Sequence, residues 1–264
     1  MSRTYVITGA ASGIGAATAH LLREQDRKVI GIDLKGSDID ADLATREGRA
    51  RAAERAIKAA KGQVDAVITC AGLATPTPMT VRVNYFGMTE FLDAMLPTLA
   101  KAKHPRAVVV GSMASLQHVD KALVEAMCIH DDEEAAVLRA QALVEQGGGA
   151  EHLIYGSTKR ALSRWVRREC IKPRWAGAGI PLNAIGPGIV RTPMTEQMIA
   201  TPEARAGLDQ VVPMPLHYYL EPEQVAYLLR WLTSKENTHV TGQTIYIDGG
   251  SDAVLRGENV WDLA

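Results

Sequence analysis

Short apolar runs alternate with long helical stretches along the 264-residue chain. The apolar runs are rich in valine and isoleucine, and they predict strands at 4–9, 28–34, 64–72, 106–112, 180–188 and 243–250. The intervening stretches predict helices at 13–23, 45–62, 81–102, 151–175 and 222–234. Strands that are apolar throughout and alternate with helices are typical of a parallel sheet covered on both faces. We therefore predict an α/β fold with one doubly wound parallel sheet, in a single domain that spans 1–264.

One connection in this pattern is too short to contain a helix. Only eight residues lie between Asp33 and Asp42, whereas a helical crossover between parallel strands needs about a dozen or more. We predict a short loop at this point, with at most a short strand within "DIDADL" (38–43).

Residues 117–150 form a helical insert before the predicted helix at 151–175. Two helices are predicted there, at 121–130 and 131–146, and glycines 147–149 would end the second one. Asp131 and Glu134 have the spacing of a capping box. The apolar residues of the two helices are Leu123, Met127, Val137, Leu138, Leu143 and Val144. An insert this apolar should pack against the rest of the protein.

Composition and charge exclude several classes of partner. The net charge is -1 and the pI is about 6.7, so neither nucleic acid nor an anionic membrane is an expected partner. No apolar stretch approaches the ~20 residues of a membrane span. The three cysteines, Cys70, Cys128 and Cys170, lack both metal-type spacing and a disulfide pattern. A reducing cytoplasm is therefore the expected location.

The acidic run "DDEE" (131–134) has two possible interpretations. It could hold a metal, or it could be a solvated cap at a helix start, where the helix dipole favours negative charge. The second interpretation is favoured. Because the seven histidines also show no ligand spacing, we predict no metal.

The stretch "TGAASGIG" places Gly9, Gly13 and Gly15 directly after a predicted strand and at the start of a helix. This context is typical of a Rossmann-type dinucleotide site, where glycines let the backbone approach a pyrophosphate. A glycine-rich turn without a ligand is the alternative. Asp33, eighteen positions after Gly15, would bind ribose hydroxyls and repel a 2′-phosphate, which favours NAD over NADP. Lys35 mildly favours NADP instead, since a nearby cation could bind that phosphate.

Several short motifs recur in one order along the chain. They are the glycine pattern at 9–15, "CAG" (70–72), "VNYFG" (83–87), "GSMAS" (111–115), "YGSTK" (155–159), "GPGIVRTP" (186–193) and "TGQTIYIDGG" (241–250). Together they resemble the short-chain dehydrogenase/reductase family, nearly end to end. Within that family, "VNYFG" and the segments near 144–149 and 247–256 are most similar to the bacterial 3α-hydroxysteroid dehydrogenase/carbonyl reductase group.

The resemblance implies four catalytic residues. Tyr155 matches the catalytic tyrosine, and Lys159, one helical turn later, matches the lysine that also binds the nicotinamide ribose. Ser112 matches the serine that binds the substrate oxygen, with Ser115 as the alternative. Asn84 matches the asparagine that holds a water between Lys159 and solvent. Its alternative is a helix residue bonded to backbone.

The resemblance also implies the cofactor contacts, with Asp42 and Leu43 on the adenine side and Thr192 at the nicotinamide carboxamide. The complete expected set is Gly9, Ser12, Gly13, Ile14, Gly15, Asp33, Asp42, Leu43, Ala71, Gly72, Tyr155, Lys159, Pro187, Gly188 and Thr192. Cys70 stands where the family commonly has an asparagine, and we interpret it as a packing residue.

The segment after Thr192 is the expected lid over the substrate. It is apolar and rich in methionine, with Met194, Met198 and Met214 as the predicted lid residues. Such a surface suits a bulky hydrophobic substrate, although these residues could simply cover the cofactor. We predict NAD-dependent hydride transfer to or from a small-molecule hydrophobic alcohol or ketone, such as a 3α-hydroxysteroid.

Three alternatives to this function remain open. One is an aryl-alcohol or other secondary-alcohol dehydrogenase of the same family. The second is a lyase or epimerase with tightly held NAD, and the third is an NAD-sensing protein without catalysis. As for assembly, the resemblance implies a subunit interface on the helices of Asn84 and Tyr155. The insert should pack there, so we expect a homodimer rather than a tetramer.

Overall fold

A computed structural model describes residues 3–261, and within them seven strands form one parallel sheet in the order β3-β2-β1-β4-β5-β6-β7. The strands are β1 Thr4–Thr8, β2 Lys28–Asp33, β3 Ile39–Asp40, β4 Ala66–Thr69, β5 Arg106–Val110, β6 Leu182–Pro187 and β7 Thr244–Ile247. The predicted doubly wound parallel sheet is confirmed. The predicted strand stub is also present, as β3 at the edge of the sheet.

Helices cover both faces of the sheet. They are α1 Gly13–Glu24, α2 Arg46–Ala59, α3 Pro78–Val81, α4 Gly87–Leu99, α5 Lys121–Cys128, α6 Glu133–Gln146, α7 Leu153–Glu169, α8 Pro202–Val211, α9 Pro222–Leu232 and α10 Ser251–Arg256. Helices α1 and α9 pack together on one face, and α2 packs against α4 on the other.

Alternate residues along the strands fill two separate hydrophobic cores. In β1, Val6 belongs to the core beneath α4 and α7, whereas Tyr5 and Ile7 belong to the core beneath α1 and α9. Both faces of β1 are buried, so its central residues are apolar on either face, and the threonines at its two ends are buried as well. This is why the strands were visible in the sequence as continuous apolar runs.

Two predicted helices differ from the structure at their ends. The helix expected at 81–102 is split by a π-helical turn, Arg82–Phe86, before α4 begins. The helix expected at 151–175 ends earlier, at Glu169, and Lys172 is extended with φ -71° and ψ 150°. Pro173 explains this geometry, since a residue before proline is sterically kept out of the helical region.

The insert forms the two predicted helices, and it packs where it was expected. Helix α5 lies against α7, and α6 lies against α3. Leu123, Met127 and Leu143 are buried, but Leu138 and Val144 are exposed. The predicted end of α6 is confirmed, because Gly147 adopts φ +63°, a backbone conformation that glycine enters without steric cost.

The predicted capping box of α6 is wrong. Asp131 has φ +53° and precedes the cap. Instead, the Asp132 carboxylate accepts a hydrogen bond from the Ala135 amide at 3.0 Å. The interpretation of the acidic run as solvated also fails at Glu133, which is only 5% exposed and pairs with Arg49 at 2.8 Å. A carboxylate can be buried in this way because a guanidinium pairs with it.

Candidate active site

The candidate site is a cavity of about 440 Å³ along the edge where the strands end. Its walls come from the loops that follow β1, β2, β3, β4, β5 and β6. Ligands bind at this edge in doubly wound sheets, because the carboxyl ends of parallel strands meet there. Every residue predicted to contact a cofactor lines the cavity.

The glycine loop leaves the start of α1 open to the cavity. Gly9 adopts φ +70°, and a Cβ at this position would lie 2.7 Å from the Ala71 amide nitrogen. A Cβ at Gly15 would lie 2.1 Å from the Gly9 carbonyl oxygen. The loop can therefore close only with glycine at both positions. Ser12, the residue before α1, makes no side-chain cap hydrogen bond, so the first amides of the helix fit a phosphate.

The carboxylate of Asp33 is held at the end of β2. One oxygen accepts a hydrogen bond from the Ala11 amide at 2.9 Å, and the other accepts one from the Leu34 amide at 2.7 Å. These bonds fix a negative charge in the cavity wall, next to the glycine loop. Lys35 is exposed and lies outside the lining of the cavity.

Tyr155 and Lys159 lie one turn apart on α7 and both line the cavity. The Lys159 ammonium donates a hydrogen bond to the Val110 carbonyl at 3.1 Å and lies 5.6 Å from the centre of the Tyr155 ring. Burial lowers the pKa of Lys159 to about 8. Burial raises the pKa of the Tyr155 phenol, and a hydrogen bond with Ser112 acts in the opposite direction. Ser112, Tyr155 and Lys159 therefore lie together, with a hydrogen bond between the two hydroxyls and the ammonium beside the phenol ring.

Ser112, rather than Ser115, lies at the cavity. The Ser112 hydroxyl accepts a hydrogen bond from the Ala114 amide at 3.1 Å and lines the wall beside Tyr155. Ser115 is buried, and its hydroxyl pairs with the Tyr246 hydroxyl at 2.9 Å.

Asn84 lies in the π-helical turn and is fully buried, outside the lining of the cavity. Its side-chain oxygen accepts a hydrogen bond from the Leu73 amide at 2.7 Å, and its NH₂ group donates one to the Leu73 carbonyl at 2.9 Å. The same NH₂ group donates to Thr158 at 3.3 Å. Asn84 therefore ties the loop after β4 to α7.

The three predicted lid methionines separate in the structure. Met194 is 44% exposed and lines the cavity. Met198 is exposed, and it lies outside the cavity lining. Met214 is buried, and its sulfur lies 3.4 Å from the Ile189 amide nitrogen. Met214 therefore packs against the loop after β6. The absence of a Cβ at Gly188 leaves room there for the Met214 sulfur.

Sequence reasoning missed several apolar residues of the cavity wall, among them Leu34, Leu73, Met79, Val83, Val190 and Pro193. Leu73 directly follows the motif "CAG", and Val83 is the first residue of "VNYFG", so these two motifs were a usable signal. Met79 had no such signal, because it reaches the cavity from the short helix α3.

Cys70 lines the cavity close to Lys159 as a neutral thiol. Burial raises its pKa to about 12, and the charge of Lys159 opposes this only in part. Since the thiolate is the nucleophilic form, the structure agrees with a packing role.

Residues 3–261 contain neither a metal-binding cluster nor a membrane-spanning helix. No group of three or more His, Cys, Asp or Glu residues there could hold a metal ion. In the same part of the chain, no helix has the length and apolar character that crossing a bilayer requires.

Comparisons with known proteins agree with this geometry. The model of a family described as enoyl-(acyl carrier protein) reductase matches residues 9–252. The chain is 39% identical to 3-alpha-hydroxysteroid dehydrogenase/carbonyl reductase of Comamonas testosteroni, over 95% of this chain and 97% of that one. It is 29% identical to a 3-oxoacyl-(acyl-carrier-protein) reductase of Thermotoga maritima, over 93% and 96%.

A solved structure gives the same result. The 3-alpha-hydroxysteroid dehydrogenase of Pseudomonas sp. B-0831, complexed with NADH, superimposes with a TM-score of 0.87 at 36% identity, over 97% of this chain and 99% of that one. The chain belongs to the short-chain dehydrogenase/reductase family. It is an oxidoreductase of that family, and the resemblance seen in the sequence motifs is confirmed.

The buried charge of Lys159 should cost folding stability. We expect Lys159→Met to be inactive, yet to unfold at a higher temperature than wild type at pH 7, by a few degrees or ~1–3 kcal/mol. The gain should be complete below about pH 8. It should shrink above that pH, as the folded wild type loses the proton that the unfolded chain still holds.

Thermal unfolding at pH 7 and pH 10 measures this difference. Lys101→Met, at an exposed lysine, is the matched control and should change the unfolding temperature little at either pH. A Lys159→Met protein no more stable than wild type at pH 7 would contradict the expectation.

Proposed function

We propose that this protein transfers hydride between NAD and a bulky, hydrophobic secondary alcohol or ketone, such as a 3α-hydroxysteroid or a similar carbonyl compound. One observation carries the proposal. A single cavity joins Asp33 and the glycine loop to Ser112, Tyr155 and Lys159. The hydroxysteroid dehydrogenase of Comamonas testosteroni and the NADH complex from Pseudomonas support the choice of substrate and cofactor.

The residues that would hold NAD follow the edge of the sheet. The amides at the start of α1 would bind the pyrophosphate, and Asp33 would accept hydrogen bonds from the ribose hydroxyls. The remaining proposed contacts are Asp42 and Leu43 at the adenine, Ala71 and Gly72 after β4, and Pro187, Gly188 and Thr192 after β6. A 2′-phosphate would meet the fixed negative charge of Asp33, which favours NAD over NADP.

Bound NAD would supply the hydride chemistry at its nicotinamide, and the side chains would move the proton. In oxidation, the Tyr155 oxygen takes the proton of the substrate hydroxyl, and in reduction it returns one. The Lys159 ammonium favours the phenolate because of its charge. The Ser112 hydroxyl holds the substrate oxygen beside Tyr155. For Asn84 we propose a relay between Lys159 and solvent, supported by its place next to Thr158 on α7.

The side chains that line the cavity indicate the class of substrate. Among the described residues that line the cavity, Lys159 is the single lysine or arginine, and it serves the catalytic group. A phosphate- or carboxylate-rich substrate would therefore find no free cation there. The proposed substrate surface is apolar and consists of Leu73, Met79, Val83, Val190, Pro193 and Met194. Of the predicted lid, only Met194 enters this surface.

An aryl-alcohol or other secondary-alcohol dehydrogenase would use the same residues and is the second candidate. A lyase or epimerase would need NAD to stay bound through turnover, and an NAD-sensing protein would need no catalytic group. The complete Ser112, Tyr155 and Lys159 group favours a dehydrogenase over both. Net formation of NADH, followed by its absorbance, separates a dehydrogenase from the other two.

We further propose that the chain acts as one NAD-binding catalytic domain, 1–264, as a homodimer in a reducing cytoplasm. The single sheet supports the first point. The insert over α7 supports a dimer over a tetramer, and light scattering measures that. The three free cysteines support the compartment.

The substrate proposal is tested with a panel of alcohols at saturating NAD. We expect kcat/KM for a 3α-hydroxysteroid such as androsterone to exceed that for small aliphatic alcohols by at least ~10-fold, because each apolar group placed in a fitting pocket adds discrimination. Aryl alcohols should fall between them. A preference for small polar alcohols over every steroid would overturn the substrate assignment.

Tyr155→Phe keeps the ring and removes the group that carries the proton. We expect turnover below about a tenth of wild type, since general acid–base groups supply roughly 10²–10⁴-fold. NADH binding should remain, because most of the proposed contacts lie elsewhere. Tyr227→Phe, at an exposed tyrosine of α9, is the control. Turnover near the wild-type level in Tyr155→Phe would refute the role.

The double change Asp33→Ser with Leu34→Arg should shift preference toward NADP, because it replaces a negative charge with a positive one beside the ribose. The ratio of kcat/KM for NAD and NADP measures the shift. Lys35→Ala serves as the control and should leave the ratio unchanged. If the wild type uses NADP at least as well as NAD, the role proposed for Asp33 is wrong.

A further inference from the structure

Arg49 of α2 is 1% exposed and is among the largest fully buried side chains. Its Nε donates a hydrogen bond to the Leu43 carbonyl at 2.8 Å, and Nη2 donates one to the Ala44 carbonyl at 3.1 Å. Leu43 and Ala44 form the cavity wall after β3. The guanidinium therefore fixes two consecutive carbonyl groups of the wall proposed to face the adenine.

The two terminal nitrogens of the same guanidinium bind the insert. Glu133, the first residue of α6, receives two parallel hydrogen bonds at 2.8 Å each, from Nη1 and Nη2. Such a fork-to-fork pair fixes orientation as well as distance. Glu90 of α4 also accepts a bond from Nη1, at 3.0 Å. One side chain thus joins the cavity wall, α4 and the insert.

A third set of contacts leads toward the catalytic side. Nη2 of Arg49 also donates to the Arg82 carbonyl at 3.1 Å. Arg82 begins the π-helical turn that contains Val83 and Asn84. The Arg82 side chain in turn lies 3.1 Å from Glu133. Glu133 therefore contacts the side chains of both Arg49 and Arg82.

Electrostatic interactions make the positions of Arg49 and Glu133 depend on each other. Burial alone would raise the pKa of Glu133, but the hydrogen bonds and charge of Arg49, with the charges of Arg82 and Arg46, hold that pKa below its ordinary value. Removal of Arg49 would leave the buried Glu133 carboxylate poorly compensated, and removal of Glu133 would leave the buried guanidinium with Glu90 as its carboxylate partner. Loss of a partner from a buried pair is unfavourable. The orientation of Arg49 therefore depends on α6 being in place.

We propose that Arg49 and Glu133 are positioning residues for the cofactor, through which the insert holds the adenine-side wall in its binding shape. NAD affinity then depends on the docking of α6. By linkage, bound dinucleotide stabilises α6 in return. The inference rests on the proposed function, since it assumes that NAD binds in this cavity.

Glu133→Gln tests the proposal, because it keeps the shape of the side chain and removes its charge. We expect the Kd for NADH to rise by about 5–50-fold, while kcat at saturating NAD and substrate changes by less than about twofold. A merely structural defect would lower kcat and the active fraction instead. Glu134→Gln, at the adjacent exposed glutamate, is the matched control and should leave both quantities unchanged.

A measurement on wild-type protein covers the case in which Glu133→Gln does not fold. Saturating NADH should slow amide hydrogen exchange in α6, and exchange in the distant α9 serves as the reference. If wild type binds NADH but exchange in α6 does not change, the inference is overturned. An unchanged Kd in a folded Glu133→Gln protein overturns it as well. If wild type binds no NADH, the proposed function itself fails.

Discussion

The close approach of the first loop to the sheet is the constraint on which the rest of the site depends. A Cβ at Gly15 would lie 2.1 Å from the Gly9 carbonyl oxygen, and one at Gly9 would lie 2.7 Å from the backbone of the loop after β4. Only glycine at both positions lets α1 begin immediately beside the strand ends. The open amides of α1, the carboxylate of Asp33 and the loop after β4 then face one cavity. A side chain at either glycine would push α1 or the loop after β4 away from the cavity.

The end of the cavity that holds Lys159 has a thermodynamic cost of its own. Lys159 is 4% exposed, and burial of an ammonium disfavours its charged form. Its one hydrogen bond from the described part of the chain goes to the Val110 carbonyl. The fold must therefore supply enough apolar burial around α7 to offset an incompletely solvated charge. The hydrophobic core beneath α4 and α7 provides that burial. A site with this cost is typical of function, because stability alone would favour an apolar residue at this position.

Much of the fold and most of the candidate site could be predicted because the signals are local. Strands buried on both faces are mostly apolar, and Gly9, Asp33 and Ser112 lie at the carboxyl ends of such strands or directly after them. What could not be predicted depends on partners far away in the chain. Glu133 looked like a solvated cap residue, since its partner Arg49 is 84 positions away. Met214 looked like a lid residue, but it packs 25 positions away at Ile189. The sequence shows that Glu133 is charged and that Met214 is apolar, but it does not show which way either side chain points.

Helix α7 shows how these local and distant interactions combine. One side of the helix carries Tyr155 and Lys159 into the cavity. Another side is covered by the insert, where the Asp120 amide donates a hydrogen bond to the Ser157 hydroxyl at 3.0 Å. Between these sides, Thr158 receives a hydrogen bond from Asn84. A helix held at three consecutive positions has little freedom to rotate about its axis. A rotation of α7 would move Tyr155 away from Ser112, its hydrogen-bonding partner. The insert therefore adds more than apolar area to the protein, because it also supplies a hydrogen bond to the helix that carries Tyr155 and Lys159.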